Sequence, residues 1–173
     1  MRIALVLLLF AVSACAQDAA VSAAESACGP SNAEFRISQD RSQHPVPNPD
    51  EGKALVYVVL DQKYVHVRDV TSRVGLDGAW VGANRGNSHL FFSVGPGEHH
   101  LCTDWTSKLV SLANFTAETC KVYYFRARTT GYTSGTGTVT SIDLDLVNRD
   151  DGKLLVASTP LSNSEPKNQR ASK

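Results

Sequence analysis

The chain lacks several features that mark common functional classes. Its 17 basic and 17 acidic residues balance, and no cluster of Lys and Arg forms a face that could neutralise phosphates. This argues against a nucleic-acid-binding protein. The longest unbroken apolar run, residues 3–12, is ten residues long, whereas a membrane-spanning helix needs roughly 20. Internal repeats are also absent from the sequence.

Motifs for catalysis and metal binding are missing as well. The four cysteines do not have the paired spacing of a zinc site. The glycine-rich residues 129–138 lack the Lys-Ser/Thr ending of a phosphate-binding loop. No serine lies in a nucleophile-elbow context. The sequence therefore predicts no catalytic residue, no cofactor and no metal.

A positive charge followed by a short apolar run opens the chain. Arg2 precedes residues 3–12, which have the size of the hydrophobic region of a secretory signal. The following residues, VSAC at 12–15, resemble the lipobox of bacterial lipoproteins, in which Cys15 is lipidated and becomes the mature N-terminus. An ordinary signal cut after Ala16 is the alternative. In the Gram-negative lipoproteins that this segment resembles, Ala16 in place of Asp implies export to the outer membrane.

The chain divides into four segments by composition. Residues 1–14 are expected to be a lipoprotein signal peptide, and the small, polar residues 15–33 a tether. Residues 34–158 contain short apolar stretches separated by Gly, Asp, Asn and Pro, and are expected to form the folded domain. This is enough chain for one domain with its own core. The polar residues 159–173 are expected to be a disordered tail.

Short strands are predicted throughout the domain. No segment keeps a 3.6-residue apolar period, which favours an all-β fold, a single β-sandwich of about seven or eight mostly antiparallel strands. Residues 54–60, ALVYVVL, are apolar on both faces and predict a central, buried strand. The dipeptide Asp77-Gly78 predicts a two-residue hairpin turn, in which Val74 would pair with Val81.

Histidine, cysteine and acidic residues are densest on two neighbouring predicted strands. If a turn at residues 95–98 joins them as a hairpin, His89 lies opposite Asp104 on the face away from the core, in a row with Cys102 and His100. Side chains two positions apart on a strand are separated by about 6.8 Å, whereas zinc ligands lie within about 2.3 Å of one point. The row therefore predicts a solvated sheet face with one His–Asp cross-strand pair and no metal site.

An envelope hydrolase is the alternative from another functional class. It would use either this histidine–aspartate pair or Asp143 and Asp145, which share one face of the last long predicted strand. A glycosidase-like carboxylate pair needs a cleft and one raised pKa, and the sequence indicates neither. Arg126 and Arg128 lie on the outer face of the preceding strand, so cross-strand ion pairs are the preferred interpretation.

Trp80 is the candidate for a ligand platform. In the predicted hairpin it shares the face away from the core with Arg73 and stands opposite Gly75. An exposed indole there could stack on a glycan or a lipid. Alternatively, Trp80 packs beneath another loop of the same chain.

Three segments of the domain carry its most specific motifs. They are GKALVYVV at residues 52–59, VGLDGAWVGANRGNSHLFFSVGPGEHHLC at 74–102 and FTAETCKVYYFRAR at 115–128. These segments resemble a family of bacterial envelope proteins, domain-of-unknown-function family 2846, over roughly residues 50–158. The order of the DG, G and PG-x-H motifs is also similar to that of PEGA-type β-sandwich modules of bacterial surfaces. The resemblance implies a small β-sandwich in the envelope, lipoproteins among its relatives and no known catalytic residue.

Three cysteines remain beyond Cys15. They are Cys28, Cys102 and Cys120, and two of them are expected to pair in an oxidising envelope. The residues alone allow either a Cys28–Cys102 or a Cys102–Cys120 bridge. The turn that usually reads A-E-x-G-K in the family has Cys120 at the glycine position here. The resemblance therefore implies the Cys28–Cys102 bridge, with Cys120 as the unpaired thiol.

These features predict a lipid-anchored envelope protein with a structural or binding role. The expected partners are the membrane, through a lipid on Cys15, and an envelope glycan or protein. The expected location is the outer membrane, facing the periplasm. A glycan-binding module that uses Trp80 is the nearest alternative.

Overall fold

A computed structural model describes residues 28–42, 47–62, 71–105, 109–134 and 137–167. The predicted signal peptide and Cys15 lie outside these residues. Within them the chain forms ten strands and one helix. In chain order these are β1 (Phe35–Asp40), β2 (Ala54–Asp61), β3 (Thr71–Leu76), β4 (Ala79–Arg85), β5 (Ser88–Val94), β6 (Gly97–Trp105), β7 (Leu109–Ala117), β8 (Val122–Ser134), β9 (Gly137–Val147), α1 (Arg149–Ala157) and β10 (Leu161–Pro166).

The strands form two sheets that pack face to face. A six-stranded sheet has the order β1-β10-β5-β2-β8-β9, and a four-stranded sheet has the order β4-β3-β6-β7. The pairings are antiparallel except for β2 with β8 and β10 with β5. The predicted all-β sandwich is confirmed, with ten described strands instead of seven or eight.

Strand β2 lies at the centre of the six-stranded sheet, as its two apolar faces predict. All eight of its residues are buried. Val56, Val58 and Leu60 point into the core between the sheets. Tyr57 and Val59 point to the opposite face and join a second apolar cluster. A strand covered on both sides has no solvated face, and this explains its unbroken apolar sequence.

The predicted turn at Asp77-Gly78 joins β3 to β4. Both residues have positive φ, +50° and +82°, which is the requirement of the type I′ hairpin turn. The predicted pairing of Val74 with Val81 is wrong, because a β-bulge shifts the register and Val74 lies opposite Gly82. The extra residue, Val81, turns outward and is 38% exposed.

The predicted hairpin between β5 and β6 does not exist. β5 pairs with β2 and β10 in the six-stranded sheet, whereas β6 pairs with β3 and β7 in the other sheet. Residues 95–96 are therefore a crossover between sheets. The prediction failed because a Pro-Gly turn fits both connections, and the choice depends on partners distant in sequence.

Helix α1 packs on the outer face of the six-stranded sheet. Asn148 caps it, accepting hydrogen bonds from the backbone N–H groups of Asp150 and Asp151. At Gly152 an added Cβ would lie 2.2 Å from a ring carbon of Tyr124. Glycine thus lets the helix approach the sheet closely enough for Val156 to be buried.

The predicted disordered tail is wrong for residues 161–166, which form β10 between β1 and β5. Six residues of β10 pair with β1, and Leu161 pairs with His89 of β5. The Oγ atoms of Ser162 and Ser164 bond the backbone O and N of Ala83 on β4, at 3.0 Å each. Backbone and hydroxyl hydrogen bonds hold this strand in place. Its sequence is therefore polar and lacks the apolar alternation by which a strand is predicted.

Candidate functional site

Residues 28–34, here called the strap, run across the outer face of the four-stranded sheet. The strap starts at Cys28, which forms a disulfide bond with Cys102 of β6, with 5.4 Å between the Cα atoms. Both cysteines are buried. Gly75 of β3 lies beneath the strap, because a Cβ there would approach the carbonyl oxygen of Cys28 to 2.3 Å. Thus the end of the segment predicted as a tether belongs to the folded domain.

An ion pair buried under the strap holds its middle. Arg73 of β3 binds the carboxylate of Asp104 of β6 through Nε, 3.0 Å from Oδ2, and through Nη2. Nη1 donates to the backbone carbonyls of Ser31 and Ala33, at 2.9 and 2.8 Å. Asp104 is 2% exposed and Arg73 8%. The planar guanidinium thus donates hydrogen bonds to a carboxylate from one edge and to the strap backbone from the other.

Trp80 is covered by the same segment. Its Nε1–H donates to the carbonyl of Pro30 at 2.7 Å, and the Cζ atom of Arg73 lies 4.2 Å from the ring centroid, within cation–π range. The Gly29 backbone also approaches the ring closely. The structure thus brings Cys28, Cys102, Arg73 and Trp80 together. One ring face and the Nε1–H edge of Trp80 are engaged within the chain, which matches packing beneath a loop.

A shallow groove of about 410 Å³ borders the strap. Its charged groups are Arg73 and Asp104, which bind each other, and Glu34 and Lys167, whose Nζ and Oε2 atoms are 3.1 Å apart. Phe35 supplies an apolar wall. Opposite charges pair across this groove, so it has no strong preference for an anion or a cation.

The predicted His89–Asp104 pair is not assembled. His89 lies in the six-stranded sheet, where Nδ1 is 3.1 Å from the Oγ1 atom of Thr159 and the ring is packed near Tyr57. Asp104 lies in the other sheet, beneath the strap. The two side chains are on opposite outer faces of the sandwich. The predicted solvated face is also wrong, since Tyr57 and the segment after α1, at Thr159, pack on His89 and the strap covers Asp104, leaving them 0% and 2% exposed.

The acidic pair of β9 lies where the sequence places it, on an exposed face. Asp145 is opposite Arg126, and Asp143 is opposite Arg128. The Arg126 guanidinium, however, binds the carboxylate of Asp61 at the end of β2. Asp61 is 5% exposed, so a buried acidic residue that the sequence analysis missed takes the place of the predicted partner. Its only signal was an acidic residue at the end of an otherwise apolar strand.

Cys120 is exposed and unpaired. Its φ of +62° lies in the left-handed region, which favours glycine. The turn requires a positive φ at this position, and this explains why a glycine would fit there. The pairing of Cys28 with Cys102 agrees with the bridge that the family resemblance implied.

His99 and Asp77 form an Asp–His pair that the sequence analysis did not predict. Nδ1 of His99 lies 2.7 Å from Oδ2 of Asp77, and Nε2 lies 2.9 Å from the carbonyl oxygen of Gly95. Burial acts to lower the pKa of His99, but the bonds to Asp77 and Gly95 outweigh it, so the pKa is raised. The pKa of Asp77 is lowered: burial opposes this, and the His100 N–H and His99 overcome it. In this arrangement both ring nitrogens are engaged, so neither is available as a general base.

The described ranges contain no cluster of three His, Cys, Asp or Glu side chains able to hold a metal ion. Likewise, the helix in those ranges is not long and apolar enough to cross a membrane. The comparison of the chain with protein-family models, curated proteins and solved structures finds no match. The resemblance to family 2846 therefore stays a prediction.

Proposed function

We propose that this chain is a lipid-anchored, non-catalytic protein of the bacterial cell envelope, with its sandwich in a structural or binding role. The observation that carries the proposal is the buried Cys28–Cys102 disulfide. Disulfides persist in oxidising compartments and are rare in the reducing cytosol. The secretion-like residues 1–14 and the lipobox-like sequence ending at Cys15 agree with such a location.

The order of the segments supports the same proposal. Twelve residues separate Cys15 from Cys28, and the disulfide fixes the end of this spacer to β6. A pull on the anchor would therefore act on a cross-linked point of the sandwich, while β1 and β10 remain paired behind it. The disulfide would thus give the domain a fixed attachment point for the proposed anchor.

Labelling with a fatty-acid analogue tests the anchor. Wild-type protein is expected to take up label, and Cys15→Ser is expected to lose it. Cys120→Ser, which removes an exposed cysteine, is the matched control and retains the label. An unlabelled wild type, or a labelled Cys15→Ser variant, would contradict the lipid anchor.

Counting the free thiols of protein taken directly from cells tests the compartment independently. A maleimide mass tag applied to the denatured protein without reductant is expected to add once, at Cys120. After reduction it is expected to add three times, because Cys28 and Cys102 become available while Cys15 carries lipid. Three additions without reductant would mean that the disulfide does not form in the cell, which overturns the envelope location.

A further inference from the structure

His99 joins two connections of the fold that belong to different parts of the chain. One is the β3–β4 turn, represented by Asp77, and the other is the crossover at residues 95–96, represented by the carbonyl of Gly95. The crossover carries the chain from the six-stranded to the four-stranded sheet. The His99 ring therefore connects the β3–β4 turn of the four-stranded sheet to the crossover that comes from the six-stranded sheet.

The protonation state of the ring decides how many of these bonds exist. A carboxylate and a carbonyl are both acceptors, and only the imidazolium has an N–H on each nitrogen. A neutral ring would keep one N–H, and the charged carboxylate of Asp77 is the stronger acceptor for it. The Nε2 lone pair would then face the lone pairs of the Gly95 oxygen.

We propose that His99 is a proton-operated clasp, whose imidazolium form fastens the crossover to the β3–β4 turn and whose neutral form releases the crossover. On release, the proton from Nε2 passes to solvent, and Nδ1–H stays on Asp77. The moving part is the crossover, because Asp77 is also fixed by the His100 backbone: the His100 N–H donates to Oδ1 of Asp77 at 2.8 Å, and the Asp77 N–H donates to the His100 carbonyl at 3.0 Å.

The surroundings of the ring leave Asp77 as the charge that controls it. On its own strand, His100 has Nδ1 3.8 Å from Asp77 Oδ1 and is 62% exposed, and Glu98 lines the adjoining groove of about 270 Å³. From β7, the Phe115 ring packs on His99 with 5.5 Å between centroids. The β7 residues in that groove, Asn114, Phe115 and Thr116, do not titrate.

The direction of the pH effect follows from the raised pKa of His99. The stabilisation is present in full below the ordinary histidine pKa of about 6.5 and is lost as pH rises through the higher pKa of the folded state. The clasp is therefore closed in mildly acidic solution and open in alkaline solution.

An NMR titration of the purified protein tests the clasp. The His99 imidazole is expected to titrate above about pH 6.5, and the backbone amides of Gly95 and Gly97 are expected to shift with the same midpoint. In His99→Gln these two amides should no longer shift, whereas in the matched control His100→Gln they should shift as before. Asp77→Asn should lower the midpoint of the His99 titration.

Two results would overturn the proposal. One is a His99 titration in wild-type protein that leaves the Gly95 and Gly97 amides unmoved. The other is an unchanged Gly95 and Gly97 titration in His99→Gln, which would assign the shift to another group. The wild-type measurement decides the matter even where a variant folds poorly.

Discussion

Each outer face of the sandwich is partly covered, by chain segments of opposite character. The strap is held on the four-stranded sheet by a disulfide and by hydrogen bonds from Arg73, which is paired with Asp104, to the strap carbonyls. Helix α1 is held on the six-stranded sheet by packing in an apolar cluster. The buried members of that cluster are Leu55, Tyr57, Val59, Tyr124 and Val156.

This difference follows from what each covering segment can bury. The strap sequence, CGPSNAE, has no large apolar side chain, so the hydrophobic effect cannot hold it in place. Covalent and charge-assisted bonds take over that role. Helix α1 offers Leu155 and Val156 to the sheet and needs no cross-link. The attachment of the strap therefore depends on the redox state of the disulfide and on the paired charges, whereas the attachment of α1 depends on close packing.

Removing the disulfide should have the largest effect. In a Cys28→Ala, Cys102→Ala double variant, the constraint over a sequence separation of 74 residues is lost. The chain-entropy model gives a decrease in the free energy of unfolding of about 4–5 kcal/mol. Urea unfolding without reductant measures it. Cys120→Ser should stay within about 0.5 kcal/mol of wild type, and an equal loss in both proteins would contradict the role of the bridge.

Breaking the ion pair beneath the strap should come next. Asp104→Asn removes the charge that Arg73 faces, leaving a guanidinium that is 8% exposed without its counter-ion. The expected loss is about 3 kcal/mol, measured by urea unfolding of the oxidised protein. The matched variant Asp145→Asn, on an exposed face, should change stability by less than about 0.5 kcal/mol. Equal effects of the two substitutions would mean that the buried pair does not hold the strap.

The sequence could predict the parts of the strap site that have local signals. Asp77-Gly78 needs positive φ, so the turn that places Trp80 opposite Gly75 is encoded within a few residues. The residues Arg73 and Trp80 were assigned to one outer face by alternation alone. The disulfide at the start of the strap agrees with the bridge that the family resemblance implied. The course of residues 29–34 across that face was not predictable, because a polar segment leaves no hydrophobic pattern.

The helix-covered face was harder to predict for a related reason. In RDDGKLLVA, a glycine and a short apolar stretch weaken the helix signal. The usable signal was Asn148 followed by the acidic residues Asp150 and Asp151, a capping pattern. The crossover at residues 95–96 left no local signal at all, since β5 and β6 take partners far away in the chain. His89 and Asp104 were misassigned together for that reason.

A small substitution in α1 tests whether shape governs the helix-covered face. Helix propensity predicts that Gly152→Ala stabilises the protein by about 1 kcal/mol. The new Cβ would instead meet the Tyr124 side chain at 2.2 Å, so we expect a net loss of about 2 kcal/mol. Thermal unfolding gives the sign. Leu154→Ala, at a residue that is 69% exposed, should stay within about 0.5 kcal/mol. A stabilised Gly152→Ala variant would mean that the helix packs more loosely.

Alkaline pH should have the smallest effect on the free energy of unfolding, and it should act on the helix-covered face. The Tyr57 and Tyr124 rings stack with centroids 5.1 Å apart. Burial, and then the nearby Tyr124, raise the pKa of Tyr57 to about 12. Burial also raises the pKa of Tyr124, against the opposing charge of Arg149.

Because the folded pKa of Tyr57 exceeds the ordinary value of about 10, its contribution to stability is complete below pH 10 and is lost as pH rises through 12. The expected loss at pH 11 is about 1 kcal/mol relative to pH 9. Tyrosinate absorbance during a rapid titration measures the pKa, and urea unfolding at both pH values measures the loss. Tyr57→Phe should reduce the difference between the two pH values. If wild-type Tyr57 ionises near pH 10, the helix does not seal this face, and the contrast between a bonded cover and a packed cover fails.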